Sequence, residues 1–154
     1  MSTTFSDSRD GKTVAGRDVT YDRIDAVAKG GVAALEEAIL ERWFSRKFRA
    51  DQLEELACWR AMLCRTTTDG YAGCSAAIRD TDLLESTAQL TLPTLALVGD
   101  EDGATPPDLV RETAGLIVGS RFEVIRGSGH LPCIEKADVV ASHIAAFMRE
   151  HHLG

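Results

Sequence analysis

Two stretches decide the fold: TLALVGDEDGATPP at residues 94–107 and RFEVIRGSGHLP at residues 121–132. The first opens on an apolar run, TLALVG, with the length and composition of a buried parallel strand, the second opens on RFEVI, which reads as a second strand, and each gives way to a glycine-bearing loop. Beyond the first loop Thr105 can cap a helix whose first turn accepts Pro106 and Pro107, since their missing amide hydrogens would be unpaired there in any case. Leu109, Val110, Leu116 and Ile117 give that helix its apolar contacts. Beyond the second loop a final helix is expected over Ala137 to Met148, with Val140, Ile144 and Phe147 facing inward. Strand, loop and helix occur twice over, which implies a parallel sheet, and open α/β sheets place their sites in the loops at the carboxyl ends of the strands.

Those two loops carry the residues with chemistry. Asp102 lies just past the first run and His130 just past the second, so adjacent parallel strands would bring both side chains to one edge of the sheet. Taken singly, Asp102 suits a turn and His130 a surface loop. Together, in G-x-x-D followed by T-P-P and in G-x-G-H-L-P, they read as a carboxylate that accepts the Nδ1 proton of an imidazole, fixing its tautomer and stabilising the imidazolium that forms when it acts as a base. Gly127 and Gly129 permit the tight backbone path that turns the ring into a cleft.

Upstream the texture is helical. Residues 1–20, rich in Ser, Thr, Asp and Gly, read as a flexible tail, and residues 21–90 as a succession of short helices with no strand between them. Val32, Leu35, Ile39 and Trp43 fall on one face, widened by Leu40 and Phe44. A second helix is expected from a capping box at Asp51 and Glu54, with Leu53, Leu56, Ala57, Leu63 and Cys64 as its stripe. A third follows TTTDG with Tyr71, Cys74 and Ile78 aligned, and a short fourth spans Asp82 to Leu90. This segment looks like a helical cap, and residues 91–154 like a core segment.

Strand order and site position together resemble the α/β-hydrolases, in which this strand carries the triad acid and the next loop the triad histidine. Asp102 and His130 occupy those positions, with Asp100 and Glu101 as nearby acidic alternatives. ERWFS (41–45), DGYAGCSAAIRDTDL (69–83) and GSGHLPCIEKAD (127–138) further resemble the 3-oxoadipate enol-lactonases, which open a lactone ring in bacterial aromatic catabolism by the β-ketoadipate route. The resemblance runs from about Tyr21 to the C-terminus. It implies a partial α/β-hydrolase fold, a helical cap followed by the last two β-α units of the sheet, with the N-terminal core strands absent. It also implies hydrolysis of a small lactone or carboxylic ester with no metal and no organic cofactor. Trp43, Met62 and Tyr71 are candidate cap residues over the substrate, although packing between cap helices is the commoner use of each taken singly.

The nucleophile is missing. The fold carries it on a G-x-S-x-G elbow between a strand and a helix, ahead of the acid and histidine, and no such pentapeptide occurs here. Gly73-Cys74-Ser75-Ala76-Ala77 imitates it, but it follows TTTDGYA rather than an apolar strand, so Ser75 and Cys74 are rejected. A two-stranded parallel sheet would also expose an apolar edge, a template for another chain. The expected partners are therefore a nucleophile-bearing chain or further copies of this one. The alternative is a non-catalytic remnant or self-associating interaction module.

Composition narrows the field. The 154 residues are 44% apolar and 27% charged, a globular balance, and 17 basic against 24 acidic residues give a net charge of −7. The basic residues are scattered, which argues against nucleic acid. No apolar run approaches the roughly 20 residues that span a membrane, and no signal-like N-terminus is visible, so a cytoplasmic location is expected. Cys58, Cys64, Cys74 and Cys133 form no CxxC pair and read as buried free thiols.

Overall fold

The structure is a computed structural model and describes residues 14–152. Helices α1 (Val14–Gly30), α2 (Glu36–Trp43), α3 (Arg46–Asp51), α4 (Leu53–Cys64), α5 (Thr68–Asp80) and α6 (Leu84–Ala88) precede strand β1 (Leu95–Gly99). Helix α7 (Pro107–Gly115), strand β2 (Arg121–Ile125) and helices α8 (Pro132–Glu135) and α9 (Ala137–Glu150) follow. β1 and β2 pair in parallel with Leu95 opposite Arg121 and Gly99 opposite Ile125, as the doubled strand-loop-helix pattern requires. Among the described residues the sheet has these two strands and no others.

The helices close around an apolar cluster of Val27, Val32, Ile39, Leu40, Phe44, Phe48, Leu56 and Leu63. Phe44 is 1% exposed and stacks on Phe48 with ring centroids 4.6 Å apart. Leu131 and Ile134, from the segment after the histidine loop, pack against this cluster, so the helical segment and the strand segment share a boundary. On the other side Val98, Ile125, Ala114, Ile117, Val140 and Phe147 bury the strands against α7 and α9.

Several local expectations need correction. The irregular lead-in expected through residue 20 gives way to helix at Val14, because the backbone amides there continue the ladder of α1; residues 1–13 lie outside the described residues. The continuous apolar face from Val32 to Phe44 is broken into a short 3-10 turn at Val32–Leu35 and then α2, after Gly31 takes a φ of 67°. Asp51 makes no capping box. It ends α3, where its carboxylate pairs with Lys47, and Leu53 is 65% exposed rather than part of the buried stripe. The working cap lies earlier, at Ser45, whose hydroxyl accepts the amide hydrogen of Phe48. The cysteines are free, but Cys58, Cys74 and Cys133 are exposed and Cys64 is half-buried, its thiol donating to Glu36. Ile144, expected inward, is 43% exposed.

Replacing Phe44 by Ala would leave a void between α2, α3 and α4 and should cost about 3–5 kcal/mol. Urea unfolding of F44A against the unchanged chain measures it; a loss under about 1 kcal/mol would mean that this ring does not hold the helices together.

Candidate active site

β1 ends at Gly99 and β2 at Ile125, and their parallel register carries the two following loops to the same end of the sheet. The loops touch directly. The amide of Asp100 donates to the Ile125 carbonyl at 3.1 Å and that of Glu101 to the Ser128 carbonyl at 2.9 Å. A Cβ on Gly99 would lie 2.1 Å from the Gly129 carbonyl oxygen, so this approach requires glycine.

Asp102 and His130 are brought together. The Asp102 carboxylate is buried, and its Oδ2 lies 2.9 Å from His130 Nδ1. Oδ1 accepts the amide hydrogens of Ala104 at 2.7 Å and Thr105 at 2.8 Å, and the Thr105 hydroxyl donates to Oδ2 at 2.9 Å. With its hydrogen committed to the carboxylate, the Thr105 oxygen sits 3.2 Å from Nδ1 as a second acceptor. Both neighbours thus favour a proton on Nδ1, which leaves the lone pair of the neutral ring on Nε2. Thr105 does not cap α7 as the sequence suggested: the helix starts after Pro106, and the hydroxyl serves the acid instead.

Burial acts to raise the Asp102 carboxyl, but the hydrogen bonds from His130 and from the Thr105 and Ala104 amides outweigh it and hold the group below its ordinary 3.8. A carboxyl lowered in the folded state stabilises fully above its unfolded value, and that contribution is lost as pH falls through the lowered native value.

The remaining acidic residues have other work. Asp100 accepts the Gly127 amide at 2.6 Å and the Ser128 amide at 3.4 Å, and Glu101 pairs with Arg46 at 3.1 Å. Residues 42–46 bind both loops. Arg42 and Gly103 exchange hydrogen bonds, Nε to carbonyl at 2.9 Å and amide to carbonyl at 3.1 Å. The Trp43 carbonyl accepts the His130 amide at 2.8 Å. Ser45 donates its amide, at 3.1 Å, and its hydroxyl to Glu135, which also accepts the Gly129 amide at 2.8 Å. The sequence reading of ERWFS as part of a family resemblance did not show the polar role of its backbone; the signal available was a serine directly after an apolar helical face, the place for a cap.

Of the candidate cap residues, Trp43 meets the histidine loop through its backbone carbonyl, which accepts the His130 amide. Trp43 and Tyr71 pack against the helical cluster, and Met62 is 42% exposed. None of the three lines a groove of about 770 Å³ that reaches Asp102 and His130 and is walled by apolar side chains including Leu90, Leu95, Leu109 and Ile144. Cys74 and Ser75 lie within α5 rather than on a strand-to-helix turn. Among the described residues no cluster of His, Cys, Asp and Glu could hold a metal ion, and no helix is long and apolar enough to cross a membrane.

Strand order, loop position and the acid–histidine pair define a partial α/β-hydrolase fold. Within that class the chain resembles the C-terminal part of the 3-oxoadipate enol-lactonases. It is 31% identical over 129 residues to 3-oxoadipate enol-lactonase 1 of Acinetobacter baylyi, a match covering 82% of this chain and 47% of that protein. The crystal structure of the enol-lactonase from Burkholderia xenovorans LB400 superimposes with a TM-score of 0.81 at 30% identity, covering 86% of this chain and 50% of the other. A hydrolase from Pseudomonas aeruginosa gives a TM-score of 0.78 at 28% identity, covering 85% and 49%. The chain therefore spans about half the length of the relatives it matches. No protein-family model matches it.

Replacing Asp102 by Asn removes the titrating group and keeps the shape. The stability difference between the unchanged chain and D102N should shrink as pH falls from about 5 to about 3, read from thermal melts across that range. A difference that stays constant would contradict a lowered carboxyl.

Proposed function

We propose that this chain supplies the acid and the histidine of a carboxylic ester hydrolase of the enol-lactonase type, with the serine nucleophile provided by residues outside this sequence. The carrying observation is the buried Asp102 carboxylate 2.9 Å from His130 Nδ1, at the end of an apolar groove. In that role His130 Nε2 takes the proton of the attacking serine as the serine oxygen bonds to the acyl carbon. It returns the proton to the departing oxygen, then deprotonates the water that cleaves the acyl-enzyme. Asp102 stays ionised throughout and balances the imidazolium. No cofactor is required. The substrate class is a small lactone or ester, in keeping with the enol-lactonase names of the relatives. In this reading the helices before β1 form a lid, and the reaction belongs to aromatic catabolism in the cytoplasm.

In this reading the oxyanion hole and nucleophile come from residues outside this sequence, because a triad histidine without its serine retains no covalent route. Mixing the chain with the N-terminal half of a 3-oxoadipate enol-lactonase that bears the G-x-S-x-G elbow should produce hydrolysis of p-nitrophenyl acetate. His130→Ala in the mixture should lower the rate by about 10³-fold or more, while the chain alone stays silent. Hydrolysis by the chain alone that disappears in S75A or C74A would overturn the assignment, as would full activity of the H130A mixture.

A further inference from the structure

The histidine loop has no regular secondary structure, yet each of four consecutive backbone amides in it is held by a fixed acceptor. Gly127 and Ser128 donate to the Asp100 carboxylate, His130 to the Trp43 carbonyl, and Gly129 to Glu135. Glu135 differs from the other acceptors in what else it holds. Its Oε1 accepts both the Gly129 amide at 2.8 Å and the Ser45 amide at 3.1 Å, and its Oε2 accepts the Ser45 hydroxyl. The residue immediately before the histidine and the cap of α3 are thus tied to one carboxylate, and Ser45 is itself 1% exposed. Contact here is close: a Cβ on Gly129 would lie 2.5 Å from the Trp43 carbonyl oxygen, so the loop cannot be held off by bulk and must be held in place by hydrogen bonds.

We infer that Glu135 is a positioning residue for His130: by fixing the Gly129 amide against Ser45 it sets the imidazole on Asp102 and keeps the proton on Nδ1. This rests on the acid–histidine reading of the site given above. A charged acceptor bound by three donors is a stronger tether than a neutral one, and a carboxylate reaching across two segments fixes a relative position that neither segment sets alone. The side chain reaches neither the reacting atoms nor the groove; its effect passes through the backbone at Gly129 and His130.

The experiment reads the tautomer directly. Nitrogen-15 spectra of the four histidines, taken at about pH 8 where an ordinary imidazole is neutral and assigned with H130A, report which ring nitrogen of His130 carries the proton. In the unchanged chain and in E135Q, whose amide oxygen still accepts from Gly129 and Ser45, Nδ1 should be protonated. In E135A the ring should shift to the Nε2–H form that an imidazole without an Nδ1 acceptor favours. E135D, which withdraws the carboxylate by one methylene and disturbs the fold less, should give a mixture of the two. If E135A and E135D melt at lower temperature yet keep Nδ1 protonated, Glu135 is only a structural tie and the inference is overturned. D102N separates this from the underlying reading: an unchanged tautomer in D102N sinks the acid–histidine pair itself, whereas a change in D102N with none in the folded Glu135 variants sinks only the positioning role. In the complemented hydrolase, E135A should lower kcat about 10- to 100-fold with KM little changed and E135Q should restore most of it; equal kcat in E135A would also overturn the inference.

Discussion

The carbonyl of Trp43 accepts the backbone amide of His130, and the site depends on that close passage of chain between two segments far apart in sequence. The turn at residues 42–46 reaches the acid loop through the Arg42–Gly103 bonds and the histidine loop through the Trp43 carbonyl and, by way of the Glu135 carboxylate, through Ser45. Glycine at 129 is what allows the carbonyl so near. Behind the turn the rings of Phe44 and Phe48 anchor it in the helical cluster, so the apolar packing of the helices and the polar geometry of the site are one construction. Apolar burial sets where the turn lies, and the directional bonds convert that place into an orientation of the imidazole.

Much of this was legible in the sequence, for identifiable reasons. The strand at Leu95–Gly99 announces itself as a short apolar run and that at Arg121–Ile125 as a short strand-like segment, each followed by a glycine-bearing loop, and Asp102 and His130 follow from their positions past the ends of those segments. A parallel pairing needs only the intervening helix to be recognised. Less legible were the choices a side chain makes between competing partners. Asp51 satisfies the local rule for a capping box, but Lys47 on the preceding turn claims its carboxylate and the real cap forms at Ser45. Thr105 likewise satisfies a local capping rule, and a buried carboxylate three residues earlier takes its hydroxyl. In both cases a tertiary or neighbouring charge outbid a choice that local sequence made plausible.

Trp43, Met62 and Tyr71 illustrate a different gap. Large apolar side chains on amphipathic helices carry no mark that separates those facing a substrate from those facing another helix. Trp43 and Tyr71 turn to the cluster, Met62 turns to solvent, and the groove at the acid–histidine pair is walled instead by residues of the strand segment and α6. Glu135 went unread because nothing in HLPCIEKAD distinguishes an acid that binds two distant amides from one in solvent.

The tethered amides of residues 127–130 also have a consequence for where entropy is lost. A loop of this composition, with glycines at 127 and 129, would sample many backbone states if free, and ordering it costs roughly 1–2 kcal/mol per residue. Here two carboxylates and a carbonyl impose that order during folding. The ring of His130 thus meets any approaching group already oriented, and the ordering is not repeated each time a substrate arrives.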